Sequence, residues 1–197
     1  MKRAACLAWL GYALSLGAVA DRLPQQVNTA SAGWPLGAFA LTDHRGAPFT
    51  QENLRGRWTL LLLEDDRCGA PCDSALSALA GLFQRIHATQ AIRTTQVVLI
   101  LPDPHGNPSE RLGQYLARFD PRFIAALGSR PTLQRLADDL GVAPPGFANE
   151  ASSKRVSRNG AGSIWVIGPD GILRTELLPP FDVLLLTAEF MKTRARR

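Results

Sequence analysis

Three features of the sequence predict an α/β fold with a central mixed sheet flanked by helices. Short apolar runs at 58–64 (WTLLLLE), 96–101 (QVVLIL) and 163–168 (SIWVIG) have the pattern of strands buried on both faces. A stretch of helical period separates the first two runs. The third is followed by Pro169, Asp170 and Gly171, a tight turn that folds it back onto residues 172–178 as a hairpin.

Ahead of the first run, residues 39–42 and 48–49 flank His44, Arg45 and Gly46, a turn between two short extended pieces, and so an extra N-terminal β-hairpin. After it, Ala75, Leu76, Leu79, Leu82, Phe83 and Ile86 recur at helical spacing and predict a helix over about 71–88. The second run ends at Pro102, Asp103 and Pro104. Ser109 and Glu110 then open a helix with Leu112, Tyr115, Leu116 and Phe119 on its inner face. Residues 123–127 are a short apolar stretch. Residues 132–140 form a helix with Leu133, Leu136 and Leu140 on one face and Gly141 as its stop. Residues 144–162 are polar, with Gly, Pro and Ser, and read as a long loop, and 181–193 as a closing amphipathic helix. A right-handed β-α-β unit followed by an antiparallel β-β-α unit is the thioredoxin topology.

The 197 residues suit one domain and a targeting segment, and 46% hydrophobic residues suffice for a core. Lys2 and Arg3 precede an apolar run over 4–20 that ends in Ala18, Val19 and Ala20, the small-x-small pattern of a signal-peptidase site. Residues 1–20 are therefore expected to be a signal peptide or an N-terminal membrane anchor, 21–37 a linker, and 38–193 the thioredoxin-like domain. Either form of the leader places the domain in an extracytoplasmic, oxidation-permissive space, periplasmic or anchored facing it. The net charge of +5 sits largely at the termini, with Arg194, Arg196 and Arg197 in the last four positions. It forms no basic stripe interleaved with aromatics, which argues against nucleic acid as a partner.

Cys6 falls within the leader, so the domain keeps Cys68 and Cys72. A bridge across three intervening residues restricts the unfolded chain very little, and the pair calls for a chemical role. Cys68 belongs to the loop after the first buried strand, at the carboxyl end of a parallel sheet where functional loops gather. Cys72 falls in the first helical turn, with Pro71 beside it at a position suited to helix initiation. The helix N-terminus and Arg67 favour thiolate, while Asp65, Asp66 and Asp73 oppose it. Two sulfurs at this spacing can bind Cu(I) or form a reducible disulfide. Cys68, nearer the loop, is the expected attacking thiol and Cys72 the resolving one.

From Phe39 onward the sequence resembles the Sco/SenC family of thioredoxin-fold proteins that assemble the copper site of cytochrome c oxidase. Phe39, Leu41, Asp43, Gly46, Phe49 and Thr50 match its opening motif, and Leu54, Gly56 and Trp58 its next step before the apolar strand and the C-x-x-x-C. Asp103, Pro104, Asn107, Pro108, Tyr115, Leu116, Phe119 and Phe123 resemble the segment after its second strand, and SIWVIGPDG at 163–171 its hairpin. The resemblance implies copper as the cofactor, Cys68 and Cys72 as ligands, and a respiratory oxidase subunit or another cysteine-containing exported protein as partner. The family's third ligand is a histidine a few residues before the hairpin, at or near Gly160; residues 157–161 contain none, so this is a divergent member. His105, after the second strand, is the candidate replacement. His44 in the hairpin turn and His87 near a helix end are not, and Met1 and Met191, the only methionines, make no copper relay.

Two other readings compete. An extracytoplasmic thiol–disulfide oxidoreductase unrelated to copper would use the same pair, although the usual C-x-x-C and a proline just before the hairpin strand are missing. A non-catalytic thioredoxin-fold binding module would use the surface alone. A peroxidase is disfavoured because Asp65 stands where a threonine would be needed, and nothing points to a hydrolase.

Overall fold

The computed structural model describes residues 24–29, 32–65, 69–103, 110–142 and 162–196. The expected strands and helices within these residues form, and they build one eight-stranded mixed sheet covered on both faces.

The first of the apolar runs becomes β4 (Trp58–Leu63), buried at every position, Thr59 included. It pairs in parallel with β5 (Thr95–Pro102), which in turn pairs in parallel with β6 (Ile124–Gly128). On its other side β4 runs antiparallel to β7 (Ile164–Ile167), and β7 to β8 (Leu173–Leu177). The hairpin of β2 (Ala40–Asp43) and β3 (Pro48–Thr50) extends the far edge beside β6. Burial on both faces is what makes the central strands continuously apolar rather than alternating.

Alternation along β4 divides the core in two. Trp58, Leu60 and Leu62 face α1 (Gly69–Ile86) and α4 (Val183–Ala195), with Val97, Leu99 and Val166 beside them. Leu61 and Leu63 face α3 (Arg130–Leu140), packing with Val98, Ile100, Leu133, Leu136 and the hairpin's Leu41 and Phe49. Helix ends follow their local chemistry. Ser129 caps α3 through Thr132 N–H, and Gly141, at φ 73°, closes it in the left-handed conformation that glycine adopts freely. Asp182 caps α4 by accepting from Leu184 and Leu185 N–H.

The segment expected to be a linker contributes to the sheet. β1 (Val27–Asn28) pairs antiparallel with β8, and the chain through Leu36 keeps bonding along that edge, with Gly33 N–H to Leu173 O at 2.8 Å and Leu173 N–H to Trp34 O at 3.0 Å. Its irregular polar sequence carries no alternation to announce a strand. Residues 1–20, the expected signal peptide or anchor, and 21–23 at the start of the expected linker lie outside the described residues. Among the described residues no helix is long and apolar enough to cross a membrane.

Candidate functional site

The site forms where β4 ends and α1 begins. The buried stripe of α1 starts at Cys72 and continues through Ala75, Leu76, Leu79, Leu82 and Phe83. Helical spacing therefore carries Cys72 inward, 3% exposed, while its neighbour Asp73 stands exposed. Cys72 is disulfide-bonded. Cys68, Asp66, Arg67 and His105 lie outside the described residues, as do Gly160 and the rest of the expected loop up to Gly162.

Beside Cys72 opens a cavity of about 250 Å³. Leu99 and Leu101 of β5 and Leu112 of α2 (Glu110–Ala117) form its apolar wall, and Asp65, Gly69, Asp73 and Tyr115 its rim. The Tyr115 hydroxyl donates to Asp73 Oδ1 at 2.7 Å, tying α2 to the first turn of α1. Partial burial and then the Asp73 carboxylate push the Tyr115 phenol up, so it stays a donor throughout the physiological range.

Glu64 is the residue that sequence reading passed over. It closes the 58–64 run, whose pattern is that of a strand buried on both faces. Its N–H donates to Ile100 O at 3.0 Å, so the β4–β5 ladder continues through it and alternation sets its side chain in the row of Leu60 and Leu62, toward α1. There it is 4% exposed and accepts the Gly162 N–H through Oε1 at 2.5 Å. Burial, with the nearby Asp65 charge adding to it and the Gly162 N–H opposing, raises the Glu64 carboxyl from 4.5 to about 7. Gly162, at φ 91°, abuts the Pro71 carbonyl, where a Cβ would stand 3.2 Å from the oxygen. The returning chain, the strand end and the turn that carries Cys72 thus meet at one point. The signal available in the sequence was an acidic residue closing a run of five apolar residues and one threonine.

The other histidines keep the roles their positions suggest. Ala125 N–H donates to His44 Nδ1 at 3.2 Å, beside Gly113 of α2. His87 Nδ1 lies 2.6 Å from Gln84 O at the end of α1 and donates to it. Among the described residues no three His, Cys, Asp or Glu side chains cluster as a metal site. The basic C-terminus is in part structural. The Arg194 guanidinium lies over Trp58 and Phe190, 5.3 and 5.5 Å from the ring centres, and donates to Thr94 and Thr95 hydroxyls.

Residues 29–181 match the family model SCO1/SenC. A Stutzerimonas stutzeri protein named for copper binding is 32% identical over 143 residues, 73% of this chain and 69% of its own length. The mouse mitochondrial SCO2 homolog is 27% identical over 137 residues, and the chain spans 53% of it. The crystal structure of yeast Sco1 with copper bound superposes with a TM-score of 0.68 at 19% identity, covering 83% of this chain and 90% of the yeast one. That likeness carries the fold: this mixed sheet and its flanking helices are the thioredoxin-like architecture expected from the sequence.

Proposed function

Because the chain belongs to the SCO1/SenC family, we propose that it is an accessory protein of cytochrome c oxidase assembly that works by thiol–disulfide exchange at Cys68 and Cys72. The observation that carries this reading is the disulfide at Cys72, in the first turn of α1, where the buried residue lines an open cavity. Reduction breaks the S–S bond, taking two electrons and two protons from a dithiol donor. The reduced pair can then pass them to a disulfide on an acceptor, a respiratory oxidase subunit or another exported protein. Cys68 opens the partner's disulfide, and the buried Cys72 closes the ring and releases the acceptor.

A second reading makes the reduced pair a carrier of Cu(I) cargo, and the copper-binding relatives favour it. The chemistry of the donors fits to this extent: two thiolates suit Cu(I), while Asp65 and Asp73 are hard donors that do not. A third ligand would have to come from elsewhere, with His105 as the candidate. Both readings belong to a protein held outside the cytoplasm by its leader, cleaved or anchored.

One experiment separates them. The polypeptide from Asp21 onward, reduced, is equilibrated with a dithiol redox buffer and, separately, titrated with Cu(I) against a chelator, with the Cys68→Ala/Cys72→Ala protein as control. A reversible two-electron couple absent from the control supports exchange. Tight one-to-one copper binding absent from the control adds the carrier role, and His105→Ala then tests the third ligand. Neither activity above the control would sink both.

A further inference from the structure

α4 is apolar on two sides. Leu186 and Phe190 are buried against the core, as an amphipathic helix requires. Its outward positions, through the C-cap Arg196, are Leu184, Ala188, Met191, Lys192, Ala195 and Arg196. Leu184, Ala188, Met191 and Ala195 recur at the four- and three-residue steps that share one helix face, and Lys192 and Arg196 flank them toward the C-terminal end. No carboxylate is among these six: the Glu189 side chain is only 20% exposed and is held by Lys192 Nζ at 3.0 Å. The large apolar side chains left exposed among the described residues gather here as well. Of Val27, Trp34, Leu184 and Met191, two belong to α4, and Val27 shares a cavity with Lys192 and Arg196. Apolar residues scattered singly are ordinary on a surface, but an apolar stripe edged only by cations is the surface that lies flat on an anionic bilayer.

The course of the chain points the same way. Three residues separate the expected leader, 1–20, from Pro24, and Pro24 lines a cavity of about 230 Å³ together with Phe181 and Leu185, at the start of α4. An anchor would therefore bring lipid to the N-terminal end of the stripe. With 13 residues α4 is too short to cross a bilayer and can only lie on it. We propose that the outer face of α4 is a docking surface for an anionic phospholipid bilayer, with Leu184, Ala188, Met191 and Ala195 seated among the headgroups and Lys192 and Arg196 on lipid phosphates. The contact is separate from the cysteine chemistry and does not depend on it. The described residues lining the cavity beside Cys72 come from other elements, so docking turns one side of the domain to the lipid and leaves that cavity open.

The test uses the full chain with isotope-labelled methionine methyls, reconstituted in bicelles whose lipids carry a nitroxide at the headgroup. Met1 and Met191 are the only methionines, so NMR reads the α4 position directly. In phosphatidylglycerol–phosphatidylcholine bicelles the nitroxide should strongly relax the Met191 methyl. In phosphatidylcholine alone the effect should fall at least about tenfold, since each cation near an anionic surface strengthens binding severalfold. Lys192→Glu/Arg196→Glu should weaken it to the same extent, and Leu184→Gln in part. Both cations are exposed, so folding does not hinge on them, and the wild-type comparison of lipids stands without any variant. Equal relaxation in the two bicelles would overturn the proposal, reducing the effect to tethering by the leader. A Met191 signal that lipid leaves unchanged would overturn it too, and a shift with protein concentration in its place would assign the stripe to a second copy of the chain.

Discussion

Burying a carboxyl makes stability depend on pH, and Glu64 does so with a definite sign. The folded protein holds its proton up to about pH 7, whereas the unfolded chain releases it near 4.5. Stability is therefore unaffected below the lower value and falls as pH rises through the interval, by about 3 kcal/mol in all. Glu64→Gln should then gain about that much over the wild type in urea unfolding at pH 8 and little at pH 4. Asp120 runs the other way. Burial opposes its charge, but the Arg122 guanidinium and backbone N–H overcome this and hold it below its ordinary 3.8, so its contribution is present above that value and lost on acidification. At this scale the sequence was partly legible. Cys72 was picked out because spacing alone makes a cysteine pair chemical. Glu64 was not, because nothing local to a strand end tells whether its last side chain meets water or a backbone N–H 98 residues along the chain, at Gly162. The pairing of Tyr115 with Asp73 was hidden for the same reason: 42 residues separate the partners.

Elements were the most readable level, since each carries its own period and caps. The helix that bears Cys72 was expected over 71–88 and runs Gly69–Ile86, and Gly141 stops α3 as expected. The stretch at 123–127 carries no local signal of its type. Its alanines show no alternation, and its strand character comes from pairing with β5 and β2. Close approaches between elements explain glycines that no motif marks. Gly128 ends β6 where a Cβ would run into Leu41 and stand 2.8 Å from Leu133 Cδ1, and Gly81 lets α1 lie against Val183 of α4. Gly128→Ala should lower stability by about 1–3 kcal/mol through overpacking between the hairpin and α3. Thermal unfolding would check it, with the redox midpoint of the cysteine pair unchanged because the substitution lies across the sheet from the site.

For the whole molecule, the β-α-β and β-β-α units were legible because topology rules admit few arrangements for such an order. The strand order β1-β8-β7-β4-β5-β6-β2-β3 was not, since the placing of the two edges depends on contacts with no local signature. One of those edges has a practical side. Residues 24–29 and 32–36 lie along the outer rim of β8, with Asn28 reaching Glu176 at 2.8 Å and Leu178 N–H bonded to Gln26 O at 3.0 Å. A polypeptide trimmed to the domain boundary at 38 would bare that rim, and a naked row of amides and carbonyls is a template for a stranger's strand. Light scattering should find it self-associating where the polypeptide from Asp21 is not. The stretch that looks like mere tether is then a selvedge, keeping the fabric of the sheet from being sewn to its neighbour's.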